Sequence, residues 1–520
     1  MQLETIELEE ANCFSSTFLK YINQDSSLKS FYNRFPSIKN FKHQIEEKSF
    51  PLDRREVLVE VLNQQYKNLE ISDAVKRNID ELSKENTYTI VTGHQLNIFT
   101  GPLYFIYKIV TAINSAKKLK QEYPDYNFVP VYWMASEDHD FEEISYFRLE
   151  GKKYTWQTDQ QGAVGRFNPK ELKSILDQLP GQNELFEKAY LEHDTLADAV
   201  RYYVNELFGE EGLVVVDADN HQLKRLFIPV IEADVLENST SEKVDQTNKE
   251  LELQGISTQI NARDINFFYL DEGIRSRIVK EEDRYKVLDT YISFSAEEIK
   301  SLIQQQPEKF SPNVVLRPLY QETILPNLAY IGGPAEVVYW LQLKGVFDYH
   351  STPFPMIMPR NFGMVINQNM NRLIGKLNLD SLRNIFLSQH ELEEMVLHDQ
   401  TVADLSYSEQ LKQLQSVYSE IQNKAQKVDP TLVEHIEALK VKAENLVGKA
   451  EKKLIRAEKR NHEISINRVG RIKEELFPNN GLQERTDNFL NFYHVNPNFI
   501  SELLNQFDPF NYRFNILIEK

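Results

Sequence analysis

The chain has 520 residues, more than one hydrophobic core normally serves, so two to four domains or one domain with large insertions are expected. Apolar residues at 41% and charged residues at 26% exclude a disordered chain, and a single cysteine, Cys13, excludes an internal disulfide. A formal charge of -19 opposes a nucleic-acid partner and no apolar run approaches the roughly 18 residues of a membrane span, so a cytoplasmic protein with neither partner is expected.

Up to about Ser83 apolar residues recur at helical spacing, in Phe31–Phe41 and again in Val57–Tyr66, with no strand-like run; this predicts a helical layer. Tyr88–Thr92 then reads as a short β-branched strand closed by Gly93, and Gly101-Pro102 opens an amphipathic helix to about Gln121. Val129–Ala135, Leu213–Asp219 and Asn313–Arg317 are further buried-strand candidates, with Pro355–Pro359 a weaker fifth. Near-continuous apolar strands alternating with helices predict an α/β fold, a mostly parallel Rossmann-like sheet covered on both faces. Long spans near 151–206 and 235–310 are read as insertions able to roof a site at the carboxyl ends of the strands.

From about Lys376 the pattern turns helical. Leu411 to Val428 and Leu432 to Ala450 carry apolar residues at alternating steps of three and four, separated by Asp429-Pro430, and Phe477-Pro478 is a strong stop. These features predict a long antiparallel coiled-coil hairpin over 376–485, with 486–520 packing back on a core of 1–375, and a homodimer formed through the hairpin. The basic stretch Lys440–Lys473 is diluted by glutamates and reads as a solvated helix face.

Three polar clusters follow predicted strands. Thr92-Gly93-His94-Gln95 precedes Gly101-Pro102-Leu103-Tyr104 and Tyr107-Lys108; a glycine after a strand admits a ligand close to the backbone, and the next helix offers free N–H groups to an anion. An ordinary capped β-α turn explains this spacing equally well. Glu137-Asp138-His139-Asp140, with Glu142 and Glu143 close behind, gathers like charges that need a cation, solvent or a polar substrate to offset them; an exposed acidic loop is the plainer alternative. Arg317-Pro-Leu-Tyr-Gln321 leads to Tyr330-Ile-Gly332-Gly333-Pro-Ala-Glu336, where an arginine and a helix start suit carboxylate or phosphate, against a glycine-rich connection and a structural arginine. Three such clusters after strands of one sheet argue for a shared cleft.

With Trp133-Met-Ala-Ser-Glu137-Asp-His-Asp140 and the coiled coil, these motifs resemble the BshC family, the cysteine ligases of bacillithiol biosynthesis. The resemblance implies a Rossmann-like core with connecting insertions and a dimerising helical hairpin. It also implies a reaction, in which the carboxyl of cysteine is joined to the amine of glucosaminyl malate in the last step of bacillithiol formation. A carboxylate acylates an amine only after activation, so ATP, with Mg²⁺ alongside it, is expected. On this reading His94, Asp138, His139 and Asp140 are the catalytic candidates. Thr92, Gly93, Gln95, Tyr104, Lys108, Glu137, Arg317, Gln321, Gly332 and Gly333 are the binding candidates, and no metal ligands are assigned. Gly93, His94 and Gln95 would hold the activated acyl or phosphate group, with Lys108 as counter-charge. Asp138, His139 and Asp140 would orient the amines, one of them taking a proton, while Arg317 with Gly332-Gly333 would hold a malate carboxylate. Many members carry glutamine where this chain has His94, which favours hydrogen-bond donation there over proton transfer. Two other readings stand beside this one: a metal-dependent hydrolase or deacetylase built on Asp138, His139 and Asp140, and a non-enzymatic nucleotide-binding coiled-coil scaffold.

Overall fold

The computed structural model describes residues 1–181, 183–377, 379, 381–400 and 406–519. They form two compact units, one of Leu3–Met364 with Leu482–Leu517, the other of Val365–Gly481.

The centre of the first unit is a five-stranded sheet. Its strands are β1 (Thr87–His94), β2 (Asn127–Met134), β3 (Val214–Asp217), β4 (Asn327–Gly332) and β5 (Met356–Pro359), in the spatial order β5-β4-β1-β2-β3. Every neighbouring pair is parallel. Tyr88, Ile90, Val131, Val215, Ile331 and Met358 are buried, as strands covered on both faces require. Chain order reverses between β1 and β4, the crevice where open α/β sheets hold ligands.

The helix after β1, α1 (Tyr104–Glu122), is buried continuously from Phe105 to Ala116 and is therefore not the one-sided amphipathic helix the sequence suggested. The sheet covers one side. The C-terminal helix Phe499–Gln506 covers the other, and Asn114 Nδ2 donates to the carbonyls of Leu504 and Phe507 at 2.9 and 2.8 Å.

Two expectations for the elements fail. Asn313–Arg317 is not a strand: the Asn313 side-chain carbonyl accepts from the N–H groups of Val315 and Leu316, closing a turn that feeds α2 (Arg317–Ile324), with Pro318 at its first turn. The sheet strand is instead β4, beginning ten residues later. The N-terminal region also contains a strand, Gln2–Ile6, and Phe31–Phe41 forms only short 3₁₀ turns, because Pro36 interrupts the run. Val57–Tyr66 lies in the helix Leu52–Gln65 and its cap.

The spans between strands carry structure of their own. Tyr146–Leu149 and Lys152–Thr155 form a hairpin that leads into the loop 156–167. Between β3 and α2 a second, antiparallel sheet runs in the order Ser293–Phe294, Arg284–Val287, Ile274–Glu281, Phe267–Asp271, Phe310–Pro312.

In the second unit α4 (Ser408–Val428) and α5 (Leu432–Asn461) pack antiparallel, with Gln415 donating to Glu444 at 3.0 Å and Gln422 to Glu437 at 2.7 Å. Asp429 breaks the chain between them and accepts from the N–H of Thr431 at 2.9 Å. The second arm is interrupted at His462 and resumes as α6 (Glu463–Leu476), ending before Pro478.

Candidate functional site

The carboxyl ends of β1, β2 and β3 finish level, with His94 beside Met134 and Met134 beside Asp217. A cavity of about 370 Å³ opens on this edge at the β1–β4 switch point, within the usual range for a small-molecule site. Of the expected site residues, Gly93, His94, Gln95, Glu137, Asp138, His139, Asp140 and Arg317 line it.

Gly93 is a close-approach glycine. A Cβ there would lie 3.3 Å from the Tyr330 hydroxyl and 3.7 Å from Arg317 Nη1, so its absence lets both side chains reach the end of β1. The turn that follows is tight: Gly101 has φ +63, and a Cβ on it would fall 2.6 Å from Asn97 Cβ. His94 stacks on Tyr104 with ring centroids 5.3 Å apart, and its Nδ1 accepts the Gln95 N–H at 2.9 Å. The Gln95 side-chain oxygen also lies 3.1 Å from Nδ1; with the shorter backbone N–H contact taken as the Nδ1 partner, the proton of the neutral ring is assigned to Nε2, which is buried and has no partner among the described residues. Burial, with the Lys108 charge nearby, pushes the His94 pKa down to about 3, so the ring stays neutral and donates.

Lys108 is not free to meet a ligand. Its ammonium donates to the Gly93 carbonyl at 2.8 Å and pairs with Glu336 at 2.5 Å. Glu336 in turn accepts from the Tyr330 hydroxyl at 2.5 Å and the Gly333 N–H at 2.8 Å, and although burial opposes it, Lys108 and these donors hold its carboxyl low. The Gly332–Gly333 turn was expected to help hold a substrate carboxylate, but Glu336, from helix α3 (Pro334–Trp340), takes the Gly333 N–H. Thr92 is likewise spent, its hydroxyl tying β1 to β4 through the Ile331 carbonyl at 3.0 Å. Tyr104 supports His94, and burial raises its hydroxyl to about 12.

Arg317, the first residue of α2, sits between the rings of Trp133 and Tyr330, 5.9 and 5.3 Å from their centroids. Nη1 donates to Gln321 Oε1 at 3.2 Å; Gln321 is fully buried and orients the arginine from behind. Nη2 is buried and meets no acceptor at hydrogen-bond distance among the described residues, although the Tyr339 hydroxyl stands close enough to favour the guanidinium's charge. The site thus contains two buried, unsatisfied donors, one neutral and one cationic.

The acidic cluster after β2 is offset by the protein's own cations. Glu137 pairs with Lys224, whose ammonium is fully buried and also donates to the Phe310 carbonyl at 2.7 Å. Asp138 accepts from the His139 N–H at 2.8 Å and from Arg275 at 3.4 Å; burial opposes ionisation, but the His139 side chain, then the Arg275 charge and the His139 N–H, hold its pKa at about 2. The same guanidinium donates to His139 Nδ1, and it lies 4.1 Å from the centroid of Phe268. Asp140 caps the short helix Phe141–Ile144. Gln95 reaches across to Glu143 at 3.1 Å. Further back, Asp219 holds Arg166 bidentately at 2.9 and 3.1 Å, and Asn220 caps the next helix.

These pairings weaken the metal-hydrolase reading on the donor set itself. Asp138 and His139 share one guanidinium, Asp140 is turned to its cap, and among the described residues no group of three His, Cys, Asp or Glu side chains is placed to hold an ion. Arg275 and Lys224 were missed by sequence reasoning. One lies in the antiparallel insertion and the other in a short helix after β3, each far along the chain from the motif it serves. Among the described residues no helix is long and apolar enough to cross a membrane.

Residues 1–361 match the family model described as "Bacillithiol biosynthesis BshC, N-terminal Rossmann-like domain", and residues 363–519 match the C-terminal coiled-coil domain of the same family. A protein of Flavobacterium johnsoniae is 44% identical over 530 residues, covering 99% of this chain and 100% of its own. One of Flavobacterium psychrophilum is 42% identical, with 99% of each covered, and one of Chlorobaculum tepidum is 30% identical, with 90% and 89% covered. All three carry the name "Putative cysteine ligase BshC".

Proposed function

Because the chain belongs to the BshC family of bacillithiol biosynthesis, we propose that it is a ligase forming an amide between the carboxyl of cysteine and the amine of glucosaminyl malate, at the expense of ATP. The observation that carries this reading is the pair of buried, unpaired donors on the cavity wall, His94 Nε2 and Arg317 Nη2. Buried donors without partners are costly, and an oxyanion laid between them satisfies both. A carboxylate, an acyl phosphate or the oxyanion of a tetrahedral intermediate has that chemistry.

On this reading Arg317, held in place by Gln321, grips an anionic oxygen of a substrate, and His94 donates a neutral hydrogen bond to the acyl group. Lys108 acts at one remove, fixing the Gly93 carbonyl and Glu336. Arg275 holds Asp138 and His139 at the rim, where the amine-bearing substrate enters. ATP, with Mg²⁺ bound to its phosphates, supplies the activation. A homodimer forms through the coiled-coil unit.

The test is direct. Purified protein incubated with cysteine, glucosaminyl malate and ATP should yield the amide by mass spectrometry, with one nucleotide consumed per amide. No amide with any nucleoside triphosphate, under conditions where the protein is folded, would sink the reading.

A further inference from the structure

Attack by an amine on an activated carboxyl leaves a proton in excess on nitrogen, so the site needs an acceptor that is unprotonated, within reach and basic enough. Most ionisable groups of the cavity are disqualified by what they already hold. Both oxygens of Glu336 are engaged, and the carboxyl is held low. Asp138 is held at about 2 by the His139 side chain, Arg275 and the His139 N–H, which makes it a poor base. His139 presents Nδ1 to the Arg275 guanidinium and His94 uses Nδ1 on a backbone N–H; Asp140 puts Oδ1 into its helix cap and stands exposed at the rim, with no cation holding it toward the cavity.

We propose that Glu137, on the cavity wall between β2 and the Lys224 ammonium, is the general base that takes the proton from the attacking amine. This rests on the ligase reading above. Only Oε1 of Glu137 is held, by Lys224; Oε2 accepts no hydrogen bond among the described residues. Lys224 is itself immobile, bonded to the Phe310 carbonyl and lying 5.0 Å from the centroid of Tyr320, so it positions the carboxylate without competing for the substrate. The charged groups facing Glu137 are Lys224, Asp219 and Arg275. Burial raises its pKa to about 7 against the pull of Lys224, with Asp219 adding to the rise, so the group is part-ionised near neutrality and far more basic than Asp138.

The step balances as follows. The amine lone pair forms the C–N bond to the activated acyl carbon. The C–O bond to the phosphate or nucleotidyl leaving group breaks, and that group departs with the electron pair. The N–H proton passes to Glu137 Oε2, leaving a neutral amide and a protonated carboxyl, which returns its proton to solvent before the next cycle.

The test is the pH dependence of kcat for the full chain with cysteine, glucosaminyl malate and ATP. Wild-type activity should rise through an acidic limb centred near neutral pH. Glu137→Gln should lose about 100-fold or more in kcat with KM for the amine nearly unchanged, and should lose the limb. Lys224→Met should move the limb to higher pH, since removing the cation raises the carboxyl further. Glu137→Asp keeps a carboxylate charge beside Lys224 while shortening the reach; it should fold as wild type and lose about tenfold or more in kcat, so a folding defect in the glutamine variant does not decide the matter. Full kcat in either Glu137 variant, or a limb that persists in Glu137→Gln, overturns the assignment while leaving the ligase reading intact. A folded wild type that makes no amide overturns the ligase reading itself.

Discussion

Burial strips His94 of its charge and thereby fixes what the ring does. With its pKa near 3 it is neutral at every physiological pH, so glutamine, which also donates from a short planar side chain, is a fair substitute. His94→Gln should bind substrate within about threefold of wild type, whereas His94→Leu should weaken it roughly tenfold to a hundredfold, the worth of one hydrogen bond to a charged acceptor; calorimetric titration would separate them. Arg317→Lys should lose affinity on a similar scale, because an ammonium cannot satisfy Gln321 and a ligand oxygen with the fixed geometry of a guanidinium. The clusters around Gly93, Glu137 and Arg317 were legible because each directly follows, or lies close before, a buried strand. Arg275 and Lys224 were not, since the pairing that identifies them is made by tertiary folding alone: Arg275 is 137 residues from Asp138. The acidic cluster accordingly suggested an external cation where internal ones suffice.

At the scale of elements, the returning segment after Gly481 is fastened to the core by buried charge. Arg360 pairs with Glu484, both nearly inaccessible, and Glu484 also accepts the Gly363 N–H at 2.9 Å. Glu484→Ala should therefore cost about 3–5 kcal/mol in denaturant unfolding, because it strands a buried guanidinium. Removing Asp177 from its exposed pair with Lys173 should cost no more than about 0.5 kcal/mol. Strands β1, β2, β3 and β5 announce themselves by runs of apolar and β-branched residues. β4 hides because Asn327, Gly332 and the following Gly-Pro make it look like a loop, while Val314-Val315-Leu316 imitates a strand that the Asn313 side chain folds into a turn.

For the molecule as a whole, two consequences are measurable. Asp234 is buried and bonded to Asn266, and burial raises its pKa to about 6 from the ordinary aspartate value of 3.8. A folded-state pKa above the unfolded one contributes stability that is complete below about pH 4 and lost as pH rises through 6. This group should therefore withdraw on the order of 3 kcal/mol over that window, and Asp234→Asn should flatten the slope in a pH series of unfolding curves. The hairpin unit leaves Val417, Ile421, Leu439 and Leu446 between 37 and 65% exposed, apolar surface that pairing with a second copy would take out of water. A second copy covering that stripe should give twice the chain mass by light scattering at micromolar concentration, and Leu446→Glu should restore the single-chain mass.

The core sheet's covering helix α1 is sealed by Phe499–Gln506, residues that follow the whole coiled-coil excursion in the chain. On a ribosome the sheet and α1 would emerge long before the segment that closes over them. The face of α1 that carries Tyr107, whose ring meets Phe507 edge to face, and Asn114 would then wait, uncovered, until that segment is made. Synthesis of this chain should accordingly pass through a long-lived, aggregation-prone nascent state, and chaperone demand should fall on a ribosome-bound intermediate rather than on the finished protein.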